Sequence, residues 1–167
     1  MSDWRGLAAT GLGLGHSPFA PGTAGSGGAL VLVWIIMAYD YPVVMHYRCC
    51  EAQGGYALLA IAILLYPAGR SLAEWAEQEW GDDPGCFVLD EIAGYLLGAA
   101  IIWLATASSP DVTELVALFV LFRAFDILKP WPISRLEEFK GGDGVMLDDV
   151  AAGILAAVVL LLLPILF

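Results

Sequence analysis

Four stretches of this chain contain no Asp, Glu, Lys or Arg: residues 6–39, 52–69, 92–110 and 150–167. A helix needs about 20 predominantly apolar residues to cross the hydrocarbon core of a bilayer, and each stretch comes close to that length. The pattern predicts an all-α fold, an integral membrane helical bundle of four to five apolar helices plus short interfacial helices. One domain over residues 1–167 accommodates it. Composition agrees: 59% of residues are hydrophobic and 15% charged, against about 25% charged in a soluble domain. The net charge of −11 argues against nucleic acid as a partner, because phosphate backbones select Lys and Arg. The three cysteines, Cys49, Cys50 and Cys86, form neither a disulfide framework nor a zinc spacing. The opening MSDWRGLAATG lacks the apolar core of a signal peptide, so no cleaved leader is expected.

The punctuation between the apolar stretches sets further expectations. Residues 11–28 read as a Gly/Pro-rich loop, with Thr23 or Ser26 capping the first apolar helix. Ser71 and Glu74 fit a capping box for a separate acidic, amphipathic helix, and Ser134 with Glu137 fit another. Gly94 and Gly98 form a G-x-x-x-G stripe suited to close helix packing. The six tryptophans read together as interfacial anchors. Segment 112–122 is too short to span by itself and borrows from the Arg123–Lys129 turn or stays a buried helix. With five crossings, the N-terminal loop and the 70–91 and 123–149 connections share one face. That face carries Arg5, Arg70, Arg123, Lys129, Arg135 and Lys140, with Arg48 opposite. By the positive-inside rule it is cytoplasmic.

Three polar clusters fall on that face: Asp90-Glu91; Arg123, Asp126 and Lys129; and Asp148-Asp149 after the flexible GGDGVM. Carboxylates converging from separate segments suit a hard cation such as Mg²⁺, which takes oxygen ligands and commonly shares them with a substrate phosphate. Lys and Arg beside them suit that phosphate, Arg as a fork and Lys as a point charge. Each cluster also has a plain reading. Asp148 or Asp149 fits a helix cap. Arg123 and Asp126 fit an i,i+3 surface pair worth about 0.2–0.5 kcal/mol. Asp90-Glu91 fits the wet start of a membrane helix.

The clusters gain meaning from their wording in order. APGTAGS at 20–26, DEIAG at 90–94, FRAFDILKPWPI at 122–133 and GGDGVMLDDVAAG at 141–153 together resemble the phosphatidylglycerophosphatase A family, over nearly the whole chain. The resemblance implies a bacterial, multi-pass inner-membrane enzyme with a helical fold and its active site on the cytoplasmic face. It also implies a Mg²⁺-dependent lipid phosphatase that converts phosphatidylglycerophosphate to phosphatidylglycerol. Carried over by position, the metal ligands are Asp90, Glu91, Asp126, Asp148 and Asp149. Arg123, Lys129, Thr23 and Ser26 contact the substrate phosphate, and Asp126, Asp149 and Lys129 are catalytic. The expected partners are the phospholipid substrate and membrane lipid, with no protein partner. Gly27-Gly28 departs from the family pattern, which more often has a bulkier apolar residue there, and is expected to loosen the start of the first helix. Two other classes compete: an ion-coupled membrane transporter, which asks for mid-span charges and an internal repeat, and a Mg²⁺-dependent lipid phosphotransferase, which asks for aspartates at regular spacing in one short motif.

Overall fold

A computed structural model describes residues 4–46, 52–81, 84–136 and 138–166. Every regular element in it is helical: α1 (Trp4–Ala9), a 3₁₀ turn (Leu14–His16), α2 (Pro21–His46), α3 (Gln53–Trp80), α4 (Leu89–Thr106), α5 (Val112–Leu128), α6 (Ile133–Leu136) and α7 (Gly142–Leu166). Four of these, α2, α3, α4 and α7, are long and apolar enough to cross a membrane. The fifth apolar segment forms α5, whose 17 residues reach only about 25 Å at the helical rise of roughly 1.5 Å per residue. The lone cation expected on the opposite face, Arg48, and the pair Cys49-Cys50 lie outside the described residues, as does Glu137 of the second proposed capping box.

The bundle is built around α4, which packs against α2, α3, α5 and α7. Tyr95, Leu96, Ala99, Ala100, Ile102 and Trp103 of α4 are all buried. The Tyr95 hydroxyl donates to the Leu115 carbonyl of α5 at 2.9 Å, and its ring stacks edge-on against Phe119 and Phe122. The small-residue stripe predicted on α4 is used against α7. A Cβ on Gly94 would strike the Asp149 carbonyl, and one on Gly153 would strike the Gly94 carbonyl. The two backbones therefore approach closely one turn beyond Asp90-Glu91, which fixes Asp149 relative to the start of α4.

Several helix starts fall earlier than the capping residues imply. α2 begins at Pro21, where the fixed φ of proline suits a first helical position. Ser26 is thus inside the helix, and its hydroxyl donates back to the Gly22 carbonyl at 2.6 Å. The helix runs unbroken through Gly27-Gly28. The expected loosening is absent because Leu14 occupies the space that a Cβ on Gly28 would need. Ser71 caps nothing either: α3 is continuous through Pro67 to Trp80, and the Ser71 hydroxyl donates to the Pro67 carbonyl at 3.0 Å. Packing of Ala73 and Ala76 with Ala9, Phe87, Ala93 and Met146 holds this stretch helical. α7 begins at Gly142, not at Asp148 or Asp149. A Cβ on Gly142 would overlap the Arg70 carbonyl, so this glycine lets the first turn of α7 lie against α3. The true capping box is at Asp111, whose carboxylate accepts from the Glu114 N–H while Glu114 accepts from the Asp111 N–H, each at 2.8 Å. The tryptophans divide: Trp4, Trp34 and Trp131 are exposed, but Trp103 is core.

α2, α4 and α7 begin at the end of the bundle where α3 and α5 finish. Contacts between Gly22, Glu91 and Arg123 tie α2, α4 and α5 together there, and the Arg70–Asp143 pair at 3.3 Å ties α3 to α7.

Candidate metal and phosphate site

Asp90 and Glu91 occupy the first turn of α4, where exposed backbone N–H groups favour negative charge. In α4 and α7 alike an aspartate Oδ1 accepts from the next N–H: Asp90 from Glu91 at 2.9 Å and Asp148 from Asp149 at 3.0 Å. Asp148 and Asp149 lie about two turns into α7, beyond any capping role. One ligand oxygen each from Asp90, Glu91 and Asp149 lies within 4.8 Å of the others. The last turns of α5 add Arg123, Asp126 and, just past its end, Lys129. All three predicted clusters therefore meet at one end of the bundle.

The trio has unmet needs. Asp149 is only 3% exposed, and its Oδ1 and the Glu91 Oε2 are buried without a hydrogen-bond partner among the described residues. Burying such oxygens uncompensated is costly, and adjacent like charges raise the cost. An all-oxygen, closely spaced carboxylate set fits a hard divalent cation, so the residues present fit the Mg²⁺ that the sequence implied.

The other two acids are differently placed. Asp126 pairs with Arg123, which also approaches Glu91 at 3.7 Å. These are ionic approaches, since the Nε and Nη1 of Arg123 find no hydrogen-bond acceptor among the described residues. Asp148 Oδ2 accepts from Lys129 Nζ at 2.9 Å. Asp126 and Asp148 thus each pair with one of the basic residues. Lys129 holds a left-handed backbone, φ 43°, at the end of α5. Pro130-Trp131-Pro132 follows, and the helix stops where the sequence said it would.

These groups open into a cavity of about 340 Å³, whose polar floor is Asp90, Glu91, Asp126, Lys129, Asp148 and Asp149. Arg123 lies behind this floor and does not line it. Thr23 is exposed and Ser26 is turned to the Gly22 carbonyl; neither lines the cavity. Two participants were missed from sequence. Glu77 of α3 forms part of the wall, hidden in what read as a separate acidic, amphipathic helix. Gly22 has a signal, its place in the APGTAGS motif. A Cβ there would overlap Glu91 Oε1 and come within 3.0 Å of Arg123 Nη1. Gly22→Ala is therefore expected to displace Glu91 and weaken Mg²⁺ binding by about 10–100-fold, the scale of disturbing a ligand's supporting contact. Calorimetric titration of the purified protein with Mg²⁺ measures it, and unaltered affinity would show that Glu91 has room to shift.

The profile of the family described as Phosphatidylglycerophosphatase A matches residues 7–164. The chain belongs to the phosphatidylglycerophosphatase A family. Three relatives bracket this phosphatidylglycerophosphatase A family member. A Bacteroides thetaiotaomicron protein with a provisional description as a phosphatidylinositol-3-phosphatase is 38% identical, over 89% of this chain and 86% of its own. The phosphatidylglycerophosphatase A of Escherichia coli is 32% identical, over 96% of this chain and 83% of its own. That of Haemophilus influenzae is 34% identical, over 92% and 84%. No solved structure matches the chain.

Proposed function

We propose that this protein is a Mg²⁺-dependent lipid phosphatase. It hydrolyses the terminal phosphomonoester of phosphatidylglycerophosphate, releasing phosphatidylglycerol and phosphate, at the cytoplasmic face of a bacterial inner membrane. The observation that carries the reading is the Asp90, Glu91 and Asp149 trio, with its partnerless buried oxygens. It opens into a polar cavity at the ends of membrane-length helices. The placement suits a substrate whose phosphate lies at the bilayer surface and whose acyl chains stay in lipid. It suits a transporter less well, because the site's charges gather at one end of the bundle rather than in mid-span. Arg5, Arg70, Arg123, Lys129, Arg135 and Lys140 gather at that same end, which supports a cytoplasmic orientation.

Asp90, Glu91 and Asp149 would hold Mg²⁺, with Asp148 and Asp126 on its flank. Bound there, the ion supplies neutralising charge and Lewis acidity toward the phosphoryl group. Lys129, steadied by Asp148, binds a phosphate oxygen as a mobile point charge. Asp126, steered by Arg123, takes a proton from the attacking water. The water oxygen bonds to phosphorus as the bond from phosphorus to the glycerol oxygen breaks. That glycerol oxygen takes a proton from solvent and leaves as the hydroxyl of phosphatidylglycerol, and Asp126 returns its proton to solvent. Arg123 holds Glu91 and Asp126 from behind, and the reading assigns no phosphate contact to Thr23 or Ser26.

The Bacteroides relative favours a second substrate, a phosphatidylinositol 3-phosphate. Both lipids carry a phosphomonoester on a polyol headgroup. Inorganic phosphate release in detergent, with Mg²⁺ or with chelator, separates the readings. We expect Mg²⁺-dependent release, fastest from phosphatidylglycerophosphate. A preference for the inositol lipid would select the second substrate, and release indifferent to chelator would sink the metal assignment.

A further inference from the structure

The two most exposed large apolar side chains described, Phe19 at 85% and Leu12 at 81%, belong to the same short loop. The loop is a built structure. The Thr10 hydroxyl donates to the Gly6 carbonyl at 2.8 Å and accepts from the Gly13 N–H at 3.2 Å. The Leu12 N–H donates to the Leu7 carbonyl at 2.8 Å, and the Gly15 N–H to the Thr10 carbonyl at 2.9 Å. Its inner side is seated: Gly11 against Val88 and Ile92, and Leu14 against Gly28 in the second turn of α2. Leu12 and Ala20 hold left-handed backbones, φ 59° and 45°. An L-residue with a Cβ gives up roughly 1–2 kcal/mol to do so. A loop facing water normally places Gly or Asn at such positions. Here the fold accepts the cost with a leucine and turns it outward.

We propose that residues 11–20 form a membrane-inserted foot, with Leu12 and Phe19 lodged at the boundary between lipid headgroups and acyl chains beside the site. Three observations select lipid as the occupant. Phe19 stands two residues before Pro21, where the span-length window of α2 opens. The seat of Leu14 on Gly28 places the loop alongside the first two turns of that helix. The first turns of α2 lead on to the exposed apolar Val31, Trp34 and Ile35, and no charged residue interrupts the chain from Gly6 to Tyr39. Aromatic and aliphatic side chains on a rigid uncharged loop bind such a boundary by burying apolar area. The foot fixes the depth of the cavity relative to the headgroup layer, because Gly11 bears directly on the first turn of α4 and its N-cap Val88.

The test needs no activity. A full-length chain with Cys49, Cys50 and Cys86 changed to Ser receives a nitroxide at Leu12→Cys or Phe19→Cys, with Glu79→Cys as an exposed reference on α3. Each is reconstituted in vesicles of phosphatidylethanolamine and phosphatidylglycerol. Positions 12 and 19 are expected to collide more with oxygen than with a water-soluble nickel chelate, and position 79 the reverse. Labels at 12 and 19 that match position 79 overturn the proposal. So does spin–spin broadening at 12 and 19 that disappears on dilution with unlabelled protein, since the face would then meet a second copy.

Discussion

Asp149→Asn is expected to lower phosphate release from phosphatidylglycerophosphate by about 10³-fold, the scale of losing one group aimed at transition-state charge. The change keeps the shape of the side chain and removes its charge. In the wild type, Asp149 is buried among Asp90 and Glu91 with one oxygen unpartnered, so without a cation its charge works against folding. The same substitution is therefore expected to raise thermal stability in chelator. Ligand linkage supplies the second readout: a site filled at 100 times its Kd stabilises the fold by about 2.7 kcal/mol. Wild-type protein should show a Mg²⁺-dependent rise in Tm that the Asn variant lacks. A variant that keeps both its rate and its Mg²⁺ response would remove Asp149 from the site altogether. Lower stability in chelator would mean that the carboxylate is held by contacts and not by a cation.

The membrane architecture was legible because charge-free length is a strong signal that survives any detail of packing. The helix starts were not. Ser71, Ser26 and Asp148 each have the residue type and spacing of a cap, yet each lies inside a helix. A local preference worth about 1 kcal/mol loses to burial of a turn against its neighbours, as with Ala73 and Ala76. Sequence can name a capping residue but cannot show what the preceding turn will pack on. The glycines show the converse. Gly94 and Gly98 were readable as a close-packing stripe, while Gly153, Gly142 and Gly28, which answer contacts from α4, α3 and the first loop, needed the fold to be meaningful.

The three clusters that the sequence put on one face do meet at one end of the bundle, but the division among them was not readable. Helical spacing allowed Asp126 to turn toward a metal or toward Arg123, and the fold places it against Arg123 while it still lines the cavity. Which carboxylates stand closest together depends on how α4 and α7 cross. That crossing is set by Gly94 and Gly153, residues with no charge.

Lys129 is where backbone and chemistry can be separated by substitution. It follows the last residue of α5, in a left-handed conformation that glycine adopts freely and other residues adopt at a cost of roughly 1–2 kcal/mol. Its Nζ lies 2.9 Å from Asp148, and the residue lines the cavity. Lys129→Ala keeps the backbone cost and loses the amine, whereas Lys129→Gly loses both. Both variants are expected to release phosphate about 10²–10³-fold more slowly, as when one donor to a developing oxyanion is removed. Both leave Asp148, which is buried, without its partner. They should differ in unfolding free energy, with Lys129→Gly more stable than Lys129→Ala by about 1 kcal/mol. Lys129→Arg restores charge but not the compact ammonium, so it should recover stability more fully than rate. If Lys129→Gly kept the wild-type rate, the lysine would serve the turn and Asp148 alone. The phosphate would then have to be held by Arg123, which the fold places behind the carboxylates.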